Sequence, residues 1–367
     1  MSGIYLLPDI IYDYICQSVD ILNQSDYYNH TKHKVLCSAN IDDFHRNGRK
    51  RMLQEKLEKL IADNNLSMPE VTPDIPHGDM PGDKVEIGED HIKKANVILK
   101  ALIPMMAEQA KKENKNKFVL TVCGGSGVGK SEIASLLSYY FNQNGIGSYT
   151  MSGDNYPFRI PMYNDAERLR VFRYEGIRKM LSDGVYTEER FKTLHGFMKN
   201  GDDANKNHVA EYPWMASYLE GGRKGLEGYL GTPNETNFKE VEAILNQFKA
   251  GDEKIFMKRM GREDTELWYS EIDFSEVNVL IIEWTHGNND SFTGVDIPVL
   301  LNSTPEETLA HRKARNRDGA IDSPFTTMVL EIEQELLKSQ AHKAKIIISK
   351  GGELWNYDDY KVNMGLC

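Results

Sequence analysis

The segment FVLTVCGGSGVGKSEIASLLSYYF, residues 118–141, restricts the fold more than any other part of the chain. An apolar run leads into a glycine cluster and then into an amphipathic stretch, so a strand, a tight turn and a helix follow one another. Gly124, Gly125, Ser126, Gly127, Val128, Gly129, Lys130 and Ser131 fit the pattern G-x-x-x-x-G-K-[ST]. Glycines at this spacing let successive backbone N–H groups turn inward around an anion. Lys130 can then reach β- and γ-phosphate oxygens, and Ser131 offers a hydroxyl to Mg²⁺. The helix that starts there points its positive end at the same anion. A strand before the loop and a helix after it separate a phosphate loop from a chance glycine turn.

Downstream, VNVLIIEW and DIPVLLNS are continuous apolar runs, the pattern of strands buried on both faces, and AKIIISKGG reads as a last strand with a glycine turn. NFKEVEAILNQFKAG places Phe238, Val241, Ile244, Leu245 and Phe248 on one helical face and stops at Gly251. Strands alternating with helices predict an α/β P-loop NTPase fold, a parallel sheet with helices on both faces. Two additions are expected. Residues 1–114 read as a helical N-terminal region, with Met52, Leu53, Leu57, Leu60 and Ile61 on one face of a first helix. A proline-rich crossing follows at 67–84, then a second helix built on Ile92, Ala95, Leu99, Leu102 and Met106, with a kink expected at Pro104. The Met105–Met106 pair reads as core filling. The second addition is a helical insert at about 160–230 within the P-loop domain over 115–367.

The 367 residues carry 44 Lys and Arg against 55 Asp and Glu, a formal charge of −11. That balance argues against a nucleic-acid binder, which needs basic surface to displace counterions, but not against a local anion site on a glycine loop. Cys16, Cys37, Cys123 and Cys367 show neither metal-ligand spacing nor a disulfide framework, and Cys123 reads as a buried small hydrophobe. The N-terminal apolar stretch is interrupted by Asp9 and Asp13 and lacks a basic flank. It is expected to be neither signal peptide nor membrane anchor, which makes the cytoplasm the default compartment.

Asp154, in SGDNYPFR, follows the second expected strand and would stand at its carboxyl end, where open α/β sheets bind ligands. A carboxylate there can orient an acceptor hydroxyl and take its proton as the γ-phosphoryl group leaves ATP; locally, a turn or helix cap explains it equally well. The order GGSGVGKS, SGDNYPFR, GTPNETNFKEVEAILNQFKAG, VNVLIIEWTHG, RKARNRD and AKIIISKGG resembles the phosphoribulokinase/uridine kinase family of P-loop kinases, over about residues 115–352. The resemblance implies an ATP- and Mg-dependent transfer to a hydroxyl of a small molecule (sugar, polyol or nucleoside-like). It makes Asp154 the general base, with Tyr156 and Arg159 lining the acceptor pocket. Glu283 becomes the Walker-B-like carboxylate near Mg²⁺ or substrate, sharing the metal with Ser131. Arg312, Arg315 and Arg317 resemble lid arginines that neutralise transition-state charge, although a solvated basic helix accounts for Arg312 as well. Lys130, Asp154, Arg315 and Arg317 are thus the expected catalytic set.

The sequence departs from the family pattern at Trp284, where glycine is usual, and at Thr232-Pro233-Asn234-Glu235, which lacks the family's histidine. The indole either shapes the acceptor pocket or packs under the sheet, and neither standard family substrate is carried over. Within the insert, Arg168, Arg170 and Arg173, with Tyr212, Trp214 and Arg223, either contact the acceptor or form solvated helical faces. His195, His286 and His311 are isolated and are not expected to hold a metal. The expected partner is a small-molecule acceptor, with no nucleic acid and no membrane; the N-terminal helices either pack on the core or make a homo-oligomer contact. Two other readings stay open: a regulatory P-loop NTPase acting through a protein partner, and a kinase acting on a protein or nucleic-acid end.

Overall fold

The computed structural model describes residues 52–72, 75, 77–315 and 323–366, without the side chains of 311, 314 and 315. The expectations for residues 1–51, Arg317 and Cys367, and for the side chain of Arg315, lie outside the described residues. The chain divides into Met1–Met52 and Leu53–Cys367, so every described residue apart from Met52 belongs to the second unit.

The described residues open with helix α1 over 52–62 and α2 (Glu89–Glu113), then β1 (Phe118–Gly124), α3 (Lys130–Gln143) and β2 (Gly147–Ser152). The insert supplies α4 (Pro161–Ser182), α5 (Glu188–Lys199) and α6 (Met215–Glu227), and α7 (Phe238–Ala250) follows. The remainder runs β3 (Lys254–Met260), β4 (Leu267–Asp273), β5 (Val277–Glu283), β6 (Ile297–Leu301), α8 (Pro305–Arg315), α9 (Pro324–Gln340), β7 (Ile346–Ile348), β8 (Leu354–Trp355) and α10 (Tyr357–Asn363).

The main sheet has the order β2-β5-β1-β6-β7-β8, parallel except for the last strand, and β3 and β4 form a separate antiparallel pair. The two-residue alternation of strands sends Leu120, Val122, Ile281 and Val299 to one face and Val119, Leu280 and Ile282 to the other. On the first face the strands share a core with Leu53, Leu57, Leu60, Ile98, Leu99, Leu102 and Ile103, so α1 and α2 pack on the core. Met52 and Ile61 are exposed rather than on the buried face, because the stripe of α1 is only as wide as its leucines. Helix α2 continues through Pro104, and Met106 is buried as expected. On the second face α7 closes the sheet with Phe238, Val241, Ile244, Leu245 and Phe248, all buried.

The insert builds a core of its own. Phe172 and Met180 of α4, Tyr218 and Leu226 of α6, and Met328, Val329 and Ile332 of α9 form one cluster. Helices α4 and α6 approach closely because α6 carries Gly222; a Cβ there would lie 2.3 Å from the Phe172 ring. Among the described residues, no helix is long and apolar enough to cross a membrane.

Candidate active site

The parallel register brings the ends of three strands level: Val122 of β1 pairs with Glu283 of β5, and Ser152 of β2 pairs with the same Glu283. The glycine loop leaves β1 two residues later. Gly124, Gly127 and Gly129 have φ values of +151°, +76° and +97°, which side-chain-bearing residues rarely adopt. A Cβ at Gly124 would come within 2.5 Å of the Leu301 carbonyl, so the loop curls tightly against β6. Lys130 opens α3, and its Nζ donates to the Gly125 carbonyl at 3.1 Å across the mouth of the loop.

Glu283 sits at the focus. Its Oε2 accepts from the Ser131 hydroxyl at 2.9 Å and its Oε1 from the Ser152 hydroxyl at 2.8 Å. Burial, and then the negative charge of Asp154, push this carboxyl up to about 7, against the pull of Lys130 and the two hydroxyls. A hydroxyl and a buried carboxylate held together in this way are hard oxygen ligands of the type Mg²⁺ takes alongside phosphate oxygens and water. Among the described residues no group of three His, Cys, Asp or Glu side chains is arranged to hold a metal. A cation at Ser131 and Glu283 would therefore draw its other oxygens from nucleotide and solvent.

Asp154 lies exposed in a single 3₁₀ turn, Gly153–Asn155, directly after β2. The turn is fixed from beneath by Trp284, whose indole is buried against Phe238 and Phe292. A Cβ at Gly153 would lie 2.0 Å from that indole, so the bulky residue after Glu283 packs under the sheet and demands glycine before Asp154. It does not line a pocket.

A second support comes from the proline-rich crossing. Asp79 Oδ1 accepts from the Ser152 backbone N–H at 2.7 Å and from Asn155 Nδ2 at 3.0 Å, on either side of Asp154. Its Oδ2 accepts from Tyr149 Oη at 2.9 Å and from Arg259 Nη1 of β3 at 2.9 Å. Nothing in the sequence of this crossing marks Asp79 as special; only the fold shows that it reaches the β2 turn.

The other expected site residues divide. Tyr156 has no exposed surface and belongs to the core beneath the sheet, so its ring supports the turn and does not line a pocket. Arg159 donates to Tyr229 Oη at 3.0 Å from the start of the insert. Helix α8 lays Arg312 over the loop, where a Cβ at Gly127 would meet its Cγ at 2.9 Å. Arg312 is only 5 % exposed, and its Nε and Nη1 have no hydrogen-bond partner among the described residues, which excludes the solvated reading. A buried guanidinium with two such nitrogens over a phosphate loop matches an incoming anion.

The insert arginines are already paired. Arg168 Nε donates to Glu235 Oε1 at 2.6 Å, Arg173 bonds both oxygens of Asp203, Arg170 binds Glu167 in the open, and Arg223 bridges to Glu331 and Glu335. Glu235, in the segment that lacks the family histidine, also accepts from Asn164 Nδ2 and the Gly231 N–H. Beside it His286 is buried, and burial brings its pKa down to about 4 against the favourable charge of Glu235. A free histidine titrates near 6.5, so the unfolded chain takes up this proton first and stability falls as pH drops from about 6.5 to about 4. The stability difference between His286→Gln and the native chain should shift by about 2–3 kcal/mol between pH 7 and pH 4.5, measured by urea unfolding. Parallel curves would show that His286 titrates alike in the folded and the unfolded chain.

Strand order, loop and carboxylate settle the fold. It is that of the P-loop nucleotide-binding proteins. No family model matches the sequence. The chain is 38% identical over 241 residues to the bifunctional alpha-galactosidase/sucrose kinase AgaSK of Mediterraneibacter gnavus, covering 66% of this chain and 21% of that one. It therefore spans about a fifth of that relative's length. Solved structures with some likeness include D-glycerate 3-kinase from Cryptococcus neoformans, with a TM-score of 0.41 and 12% identity over 74% of this chain and 99% of that one. A structure described as a fructose transport system kinase from Silicibacter gives a TM-score of 0.39 and 12% identity, over 69% of this chain and 96% of that one. All three of these proteins bear kinase names.

Proposed function

We propose that this protein is a kinase that transfers the γ-phosphoryl group of ATP to a hydroxyl of a saccharide or related polyol. The observation that carries the reading is the convergence on one sheet edge of the glycine loop, the Ser131–Glu283 pair and Asp154. A loop and a metal-type carboxylate serve any P-loop protein; the exposed Asp154, held by its own two supports at that edge, suits a kinase. The sucrose kinase name of the relative favours a sugar among hydroxyl acceptors.

In this mechanism the loop N–H groups and Lys130 hold the phosphates, Arg312 faces them from α8, and Arg315 and Arg317 follow on the same segment. Mg²⁺, when bound, neutralises charge on the phosphate oxygens, and Ser131 with Glu283 would hold it. Asp154 orients the acceptor hydroxyl and takes its proton as that oxygen bonds to the γ-phosphorus and the bond to the β-phosphate oxygen breaks, releasing ADP. Rate enhancement comes from positioning and charge neutralisation rather than from covalent chemistry by the protein.

The test is ADP release from Mg·ATP by the full chain against a panel of mono- and disaccharides, polyols, nucleosides and hydroxy acids. Strong stimulation by one sugar class is expected. Slow release indifferent to every compound would instead favour a regulatory NTPase.

A further inference from the structure

The antiparallel pair β3–β4 stands apart from the main sheet, and its two outer edges differ. Just past one end of the ladder the Phe274 N–H donates to the Glu253 carbonyl, and just past the other the Gly261 N–H donates to the Glu266 carbonyl. Antiparallel strands exchange such bonds at every second pair, so Trp268, Ser270 and Ile272 turn their backbone groups toward β3. Those of Leu267, Tyr269, Glu271 and Asp273 point away from it. The free edge of β3 is in use, since the Met260 N–H donates to Asn155 Oδ1 at 3.0 Å in the turn of Asp154. The outward groups of β4 meet no other strand among the described residues.

An edge of this kind is ordinarily shielded by lysine or proline, by a bulge or by a covering element. Residues 267–273, LWYSEID, contain neither lysine nor proline, and their pairing runs without a register shift. Phe256, Leu267, Trp268 and Tyr269 are between 45 % and 61 % exposed. Half-exposed side chains of this size present about 100 Å² each, so the patch offers about 400 Å² of apolar surface per copy. A stable interface takes about 800 Å² from each partner, somewhat more than half of it apolar, and the patch with its strand edge is of that order.

The edge is also complementary to itself. A twofold axis through Ser270 would lay a second β4 antiparallel to the first. Tyr269 would then pair with Glu271 of the second copy and Leu267 with its Asp273, while on the other face Trp268 would pack on its Ile272. Small Ser270 lies at the axis, and no like charges come opposite each other.

We propose that β4 is a dimer interface, on which Leu267–Asp273 of a second copy of this chain pairs to join the two hairpins into one four-stranded sheet. The proposal is independent of the kinase reading. A second copy placed here would brace the strand pair whose other edge steadies the Asp154 turn.

The test is sedimentation of the full chain over a micromolar range, beside Glu271→Pro and Trp268→Ala. The Glu271 N–H plays no part in the β3–β4 ladder, so proline there keeps the hairpin and blocks only the outer edge. The native chain should sediment at twice its own mass. Glu271→Pro should raise the dissociation constant about 100-fold or more, because symmetry removes two donors at once and strands two carbonyls. Trp268→Ala, which takes one ring from each side, should raise it about 10-fold or more. A single cooperative melting transition shows that each variant folds; if the proline variant does not, Trp268→Ala decides. A native chain that stays monomeric would overturn the proposal, and so would a dimer that the folded variants leave intact. Hydrogen exchange over 267–273 separates a second copy from a covering segment of the same chain. Protection that grows with chain concentration supports pairing between copies, and protection that ignores it would overturn that pairing.

Discussion

Asp154→Asn should lower acceptor-stimulated ADP release by about 10²- to 10⁴-fold, the range for loss of a general base, with nucleotide affinity retained. The amide fits the same 3₁₀ turn, because Asp79 and the Gly153–Trp284 contact fix that turn from outside it. What disappears is the capacity to take a proton. Nucleotide binding should persist because Lys130, the loop and Ser131 are untouched. The sign of the electrostatic side effect also favours retention. Asp154 raises the pKa of Glu283, so removing its charge lets Glu283 ionise more readily and favours a cation there. Calorimetric titration with Mg·ATP beside the coupled ADP assay measures both. Equal loss of binding and turnover would assign Asp154 to the nucleotide site, and unchanged turnover would end its role as base.

The parts of this site that the sequence displays are those whose chemistry depends on short-range spacing. Eight consecutive residues make the phosphate loop, and Glu283 closes an apolar run that could only be a buried strand. The parts it hides depend on tertiary placement. Asp79 looks like any loop aspartate until the crossing is seen to pass the end of β2. Tyr156 follows Asp154 as a pocket residue would, yet the 3₁₀ turn rotates it into the core. Trp284 reads equally well as a pocket wall, and its partner Gly153 is the clue: a glycine three residues before Tyr156 makes room for a ring. The β3–β4 pair is not legible because Phe256, Leu267, Trp268 and Tyr269 are exposed, leaving no clean alternation of buried and solvated positions.

The second large effect is expected at Asp79, which lies outside every recognisable motif. Asp79→Ala removes an acceptor of four hydrogen bonds and leaves Arg259, 8 % exposed, with an uncompensated charge. Breaking a buried pair from one side costs about 3–5 kcal/mol, so the melting temperature should fall markedly. Turnover should fall as well, by about 10²-fold, because the Ser152 N–H and Asn155 lose the atom that sets the position of Asp154. Stability loss alone could mimic this, and a second variant separates the two. Replacing both members of a buried pair with apolar residues is often neutral, so Asp79→Ala combined with Arg259→Met should recover most of the stability. It cannot restore an acceptor to the Ser152 N–H or to Asn155. The double variant should therefore melt close to the native chain and still turn over slowly, with ATP KM unaltered. Recovery of kcat together with the melting temperature would make Asp79 a structural residue only. Recovery of stability without kcat would place it among the residues that aim the catalytic base, supplied by a segment outside the P-loop core.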